Sequence, residues 1–78
     1  GGIGAAFFYG DRAAWSSKEA LYKYAGEPGL GLLEDIHLVA YEPGVAITGQ
    51  IKDGEPLRLS IALYDNFDDG PYQAVYLG

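Results

Sequence analysis

Few side chains in this sequence could carry out chemistry. His37 is the single histidine, and the chain contains no cysteine. Without a thiol, Cys–His catalysis and thiolate metal sites are excluded, and a zinc site would need His37 together with carboxylates. Ser16 and Ser17 are expected at the start of a helix, and Ser60 lies in a predicted strand without a predicted base nearby. We therefore predict no nucleophilic catalysis.

Two adjacent carboxylate pairs, Glu34-Asp35 and Asp68-Asp69, are candidates for acid–base work. Such work needs two carboxyl groups whose environments separate their pKa values. Adjacent residues in a strand or loop generally point apart, so the pairs are not expected to converge on one substrate. The sequence thus predicts a protein that is not an enzyme.

The segment Asp65 to Gly70 resembles a calcium-binding loop, but Phe67 occupies the second ligand position and Tyr76 stands where a glutamate is required. A plain hairpin loop is the expected structure. The glycines of residues 1–10 match neither phosphate-binding glycine motif. The sequence predicts no metal and no cofactor.

Composition indicates one small acidic domain spanning residues 1–78. Hydrophobic residues make up 49% of the chain and charged residues 21%, which is ordinary globular usage. The formal net charge of −6 repels nucleic-acid phosphates and anionic lipid surfaces. No apolar run reaches the length of a membrane-spanning helix. We expect no nucleic-acid partner and no membrane insertion.

A helix is predicted at about residues 16 to 25. Ser16 would cap it, Glu19 would complete a capping box, and Trp15 would pack on Ala20 as a hydrophobic staple. Its apolar face would contain Leu21, Tyr24 and Ala25. Gly26 and Pro28 would end it with a left-handed cap and a helix breaker.

The rest of the chain alternates with period two and predicts an antiparallel meander. The four predicted strands are Asp35 to Tyr41, Val45 to Ile51, Leu57 to Tyr64 and Tyr72 to Leu77. Residues 1–10, with the aromatic cluster Phe7, Phe8 and Tyr9, would form a glycine-rich arm or a short edge strand. The fold class is α+β, with one short helix on one face of a four-stranded, or with the arm five-stranded, sheet.

Loop lengths predict the strand registers, because a one-residue slip moves every side chain to the other face. We predict a three-residue loop at residues 52–54 with Gly54 left-handed, and a two-residue turn at Pro43-Gly44. The predicted pairs are Ile47 with Leu59, Val45 with Ile61, Ile36 with Ile51, Ala40 with Ile47, and Ile61 with Val75. The helix-covered face would hold Ile36, Leu38, Ala40, Val45, Ile47, Ile51, Leu57, Leu59, Ile61, Leu63, Val75 and Leu77.

The other sheet face mixes small residues with tyrosines and is the candidate binding surface. The predicted partner-binding residues are Tyr41, Tyr64, Tyr72 and Tyr76, supported by His37. Tyrosine is enriched at interfaces because its large ring is rigid and its hydroxyl is polar. It is also a common strand former, and aromatic pairs can stabilise a solvated face.

The predicted function is therefore non-enzymatic protein binding or assembly, with another protein or a second copy as partner. One alternative is an acidic inhibitor or immunity-type protein that blocks a basic partner. A second is a small-molecule binder with a pocket between the sheet and Phe7, Phe8 and Tyr9. The sequence carries no signal for a cellular compartment.

Asp35 to Ile51, preceded by a short helix, resembles the helix and first hairpin of BON domains, which are small periplasmic or membrane-associated binding modules. The resemblance covers under half of the chain. It ends at Pro56 to Tyr64, which alternates like a strand where those domains continue into a second helix. We therefore assign the chain to no family.

Overall fold

One helix packs against a five-stranded antiparallel sheet, which confirms the predicted α+β class. The computed structural model describes residues 4–8, 12–66 and 70–77, with the backbone alone for residues 7–8, 65–66 and 70–72. The elements are β1 (Ala5–Phe8), α1 (Ala13–Ala25), β2 (Ile36–Glu42), β3 (Ala46–Ile51), β4 (Leu57–Asn66) and β5 (Gly70–Leu77).

The sheet is open, with strand order β1-β5-β4-β3-β2. The last four strands form a meander, and β1 pairs antiparallel with β5 at the far edge. The chain therefore passes from one sheet edge to the other through α1. Because β4 is a strand, the region does not continue into the second helix that BON domains have at this place.

The helix begins three residues earlier than predicted, at Ala13. Arg12 is the N-cap residue and makes no side-chain capping hydrogen bond. Ser16 lies inside the helix, where its backbone N–H donates to Arg12 O at 3.0 Å. The predicted Ser16 cap, capping box and Trp15 staple are thus wrong. The high helix propensity of alanine accounts for the longer start.

The helix turns a face of small residues towards the sheet. Its buried residues are Ala13, Ser16, Ser17, Ala20 and Leu21. Small side chains let the helix axis approach the strands closely, and Leu21 supplies the large apolar group. The prediction that Tyr24 belongs to the buried face is wrong, because Tyr24 is exposed. The predicted left-handed cap at Gly26 is confirmed, with φ of 56°.

The core lies between α1 and the sheet. Leu21 shares one buried cluster with a fully buried residue from each of four strands, and Leu30 from the connecting loop belongs to it as well. The four strand residues are Ile36, Ile47, Leu59 and Val75. The predicted pairs Ile36 with Ile51, Ile47 with Leu59 and Ile61 with Val75 are confirmed. Burial of the apolar strand face therefore dictates the register.

The turn between β2 and β3 is one residue longer than predicted. Val45 N donates to Glu42 O at 2.9 Å, and Glu42 pairs with Ala46. The loop consists of residues 43–45, with Gly44 at φ of 74°. Val45 is therefore a half-exposed turn residue, and its predicted place in the core is wrong.

A β-bulge between Leu38 and Ala40 offsets this extra turn residue. A bulge places two residues on one strand opposite one residue on its partner. The longer turn shifts the register by one residue, and the bulge shifts it back. Ile36 therefore still pairs with Ile51 and remains fully buried.

Between the bulge and the turn, the faces of β2 are exchanged relative to the prediction. Ala40 pairs with Thr48, not with Ile47 as predicted, and Tyr41 pairs with Ile47 instead. Cross-strand partners share a sheet face. Ala40 therefore lies on the face away from the helix, and Tyr41 lies on the helix side.

The turn between β3 and β4 also differs from the prediction. Gly54 N donates to Ile51 O at 2.9 Å, and the left-handed residue is Lys52, with φ of 52°, in place of Gly54. The Gln50 side-chain amide donates to Gly54 O at 2.6 Å. These two hydrogen bonds stabilise the loop. The loop joins β3 and β4 in the predicted register, although its backbone conformation differs from the prediction.

The hairpin of β4 and β5 extends beyond the core. On the helix side of β4, Leu59 is fully buried, Ile61 is partly buried and Leu63 is 71% exposed. The prediction that Leu63 lies in the core is therefore wrong, because the core ends before this part of the hairpin.

Candidate interaction surface

The sheet face away from α1, here called the open face, is the candidate site. Because α1 lies on the opposite side, no element of the described chain packs on it. Its described side chains are Ala5, His37, Ala40, Glu42, Ala46, Thr48, Gln50, Arg58, Ser60, Ala62, Tyr64, Ala74 and Tyr76. Small side chains occupy the middle of this face, and larger ones lie around them.

Among the described side chains of the open face, the large aromatic ones are Tyr76 and Tyr64. Tyr76 is 41% exposed and Tyr64 is 45% exposed. Tyr76 pairs with Ser60, which lies four residues before Tyr64 on β4. Tyr76 and Tyr64 are therefore separated by roughly 13 Å along the strand direction at the usual strand rise. Tyr72 pairs with Tyr64 in the ladder, while its side chain lies outside the described residues. Three of the predicted tyrosines thus occupy the β4–β5 hairpin.

The small residues of the open face are more buried than their position suggests. Ala46 and Ala74 are buried, and Ser60 and Ala62 are partly buried. An alanine side chain extends only one carbon above the sheet, so longer neighbours shield it. The result is a row of small, largely shielded residues next to Tyr76 and Tyr64.

His37 lies on the open face but far from the tyrosine hairpin. It is exposed and pairs with Gln50, at the opposite end of the sheet. Gln50 is four residues from Ala46 on β3, and Ala46 lies level with Tyr76 because both pair with Ser60. His37 and Tyr64 are therefore separated by about eight residues of strand, roughly 26 Å. A single small contact would not include both.

Tyr41 lies on the other side of the sheet and lines a different feature. Together with Leu38 and Ile47 it borders a groove of about 390 Å³ beside the helix residues Ala13 and Ala14. Tyr41 is 54% exposed. The prediction that Tyr41 shares a face with Tyr64 and Tyr76 is therefore wrong, and the bulge in β2 is the cause.

The described side chains of the open face are electrically balanced. Among strand residues with described side chains, Glu42 and Arg58 carry the formal charges. The Arg58 Nη2 atom lies 3.7 Å from Glu42 Oε2, and both side chains are more than half exposed. The other described charged residues belong to the helix, to its N-cap or to the loops. The acidic excess of the described chain is therefore not on this face.

A second aromatic surface lies on the outer side of the helix. Trp15 and Tyr22, both half-exposed, line a groove of about 310 Å³ with Leu32. Glu19 and Lys23 border the same groove. Exposed apolar side chains next to charged ones are normal on a protein surface.

Asp35, one of the predicted acid–base candidates, takes part in backbone hydrogen bonds of the loops. The Asp35 carboxylate accepts a 2.7 Å hydrogen bond from the Gly31 backbone N–H, and Asp35 O accepts one from Lys52 N at 2.6 Å. Among described residues, no group of three or more His, Asp or Glu side chains is arranged to hold a metal ion. Of the calcium-like segment, residues 67–69 lie outside the described residues, as does Tyr9 of the proposed small-molecule pocket.

Sequence reasoning did not identify Glu42 as a residue of the open face. The predicted strand ends at Tyr41 and the Glu-Pro-Gly sequence predicts a turn, whereas Glu42 is the last residue of β2 and contacts Arg58. The longer turn and the bulge determine its side of the sheet, and neither has a clear sequence signal.

No helix in the described ranges is long and apolar enough to cross a membrane. Comparison with protein-family models, curated proteins and solved structures finds no significant match.

Proposed function

We propose that this chain is a non-enzymatic protein-binding or assembly module, and that its open face is the binding surface. The observation that carries the proposal is the lack of any described element covering this face, although it holds Tyr64 and Tyr76 beside buried alanines. On a sheet face that remains in water, the side chains are normally polar. The middle of the described face consists of small residues, alanines together with Ser60, and is less polar than a solvated face normally is, which supports its burial by a partner.

The charge distribution favours a partner that is not strongly basic. An inhibitor that blocks a basic protein needs acidic side chains on its contact surface. The described open face has one acidic and one basic side chain, Glu42 and Arg58. The acidic-inhibitor alternative would have to use a helix or loop surface instead.

A small apolar ligand in the groove beside Tyr41 is the second candidate function. The volume of about 390 Å³ is within the usual range for ligand pockets. The groove is apolar, lined by Ala13, Ala14, Leu38, Val39, Ala40, Tyr41 and Ile47. Native mass spectrometry of freshly purified protein tests this function, since a bound ligand would add to the mass of the chain.

A photo-crosslinking amino acid tests the proposed function in cells that produce the protein. At Tyr76 it should give a discrete protein–protein adduct. At Tyr22, which is similarly exposed on the helix, it should give none. Adducts of equal yield at both positions, or at neither, would contradict the proposal.

A further inference from the structure

We infer that the partner of the open face is a second copy of this chain, stacked face to face about a two-fold axis. This inference rests on the proposed function of the open face. It adds the identity of the partner and the symmetry of the contact. The result would be a two-layered sheet sandwich with one helix on each outer side.

Charge complementarity is the main argument for a second copy. In a two-fold contact the same patch lies on both sides, so the patch must be complementary to itself. A patch with one sign of charge would repel its copy. Among its described side chains, the open face carries one charge of each sign, at Glu42 and Arg58.

The Glu42–Arg58 ion pair within one chain can be replaced by ion pairs between two chains, so that neither charge is left without a partner. Glu42 and Arg58 are exposed at 3.7 Å from each other, a geometry that contributes little to the stability of the single chain. In a two-fold stack, Arg58 approaches the partner's Glu42, and the reverse contact forms by symmetry. Two cross-chain pairs then replace two exposed internal pairs.

Sedimentation velocity of the purified chain over a concentration series is the first part of the test. We expect a dimer with a dissociation constant in the micromolar range. Glu42→Arg makes the charged part of the face wholly basic, and Arg58→Glu makes it wholly acidic. Each variant alone should dimerise about tenfold more weakly or worse, because like charges are brought together.

Mixing the two variants is the decisive part. The Glu42→Arg and Arg58→Glu chains have opposite charges on the face, so their equimolar mixture should form heterodimers and restore the wild-type dimer fraction. Glu19→Arg is the matched control, because it makes the same charge change on the helix. It should leave dimerisation unchanged, and circular dichroism should show all three variants folded.

Two results would overturn the inference. One is a wild-type chain that remains monomeric at several hundred micromolar. The other is a dimer that both single variants preserve, or that their mixture does not restore. A monomer that still crosslinks from Tyr76 to a different protein would end this inference and leave the proposed function intact. A monomer without any Tyr76 adduct would contradict both.

Discussion

Leu21 of the helix lies directly against Gly49 of β3, in the space where a side chain at position 49 would be. A Cβ atom at Gly49 would overlap Leu21 Cδ1, and it would also come within 3.4 Å of Leu38 Cδ2. Both Leu21 and Gly49 are buried. The helix can therefore lie close to the strand because residue 49 has no side chain.

Gly49→Ala should destabilise the chain by about 1–3 kcal/mol, because the added methyl group overpacks a core that has no free volume there. Urea unfolding measures the change. Leu21→Ala alone should cost about 2–5 kcal/mol. In the Gly49→Ala background the same substitution should cost less, since it removes the overlap. Strictly additive losses would show that the two residues do not compete for this space.

Ser17→Ala should stabilise the chain by about 1 kcal/mol. Ser17 is fully buried in the helix, and its hydroxyl has no hydrogen-bond partner among the described residues. Removing an unsatisfied buried hydroxyl removes its desolvation cost, and alanine also has the higher helix propensity. Thermal or urea unfolding of the variant checks this. A loss of stability would mean that the hydroxyl makes a bond after all.

Tyr41→Ala and Tyr76→Ala should differ in their effect on association. The bulge places Tyr41 on the helix side, and Tyr76 lies on the open face. Tyr76→Ala should weaken dimerisation by about tenfold or more, in the range of an aromatic interface residue. Tyr41→Ala should leave the dissociation constant within about twofold. Sedimentation velocity compares the two variants, and the reverse order of effects would contradict the assignment of faces.

Much of the fold could be predicted because burial determines on which face of the sheet each strand residue lies. Ile36, Ile47, Leu59 and Val75 alternate with residues that are polar, small or tyrosine, and a register shifted by one residue would turn a strand's apolar residues away from the helix. The left-handed cap at Gly26 was equally predictable, because glycine adopts this conformation without steric cost.

The bulge in β2 could not be predicted because the two one-residue shifts offset each other. Both the predicted and the observed arrangements pair Ile36 with Ile51 and bury Ile36. They differ only between the bulge and the turn, where Ala40 and Tyr41 exchange faces. Neither residue has a strong preference for one side, so the sequence pattern holds no signal there.

The helix start was mispredicted because Ser16 and Ser17 are frequent capping residues. Here both are buried small residues in contact with the sheet. Serine suits a helix cap through its hydroxyl and a close helix–sheet contact through its size. The sequence does not distinguish these two uses, and the packing of the helix on the sheet decides between them.

The site was only partly predictable for the same reason. Alternation in β4 and β5 placed Tyr64 and Tyr76 on the open face, as observed. Tyr41 was misplaced by the bulge, and His37 lies on the open face but at its far end. The balanced pair of Glu42 and Arg58 became visible only when the true turn length was known.

Hydroxyl-radical footprinting at low and high protein concentration tests most directly whether the open face is the surface buried on association. Our account predicts that Tyr76 and Tyr64 become protected as concentration rises, while Tyr22 and Tyr41 keep the same reactivity. Unchanged reactivity of Tyr76, or protection of Tyr22 or Tyr41 in its place, would contradict it.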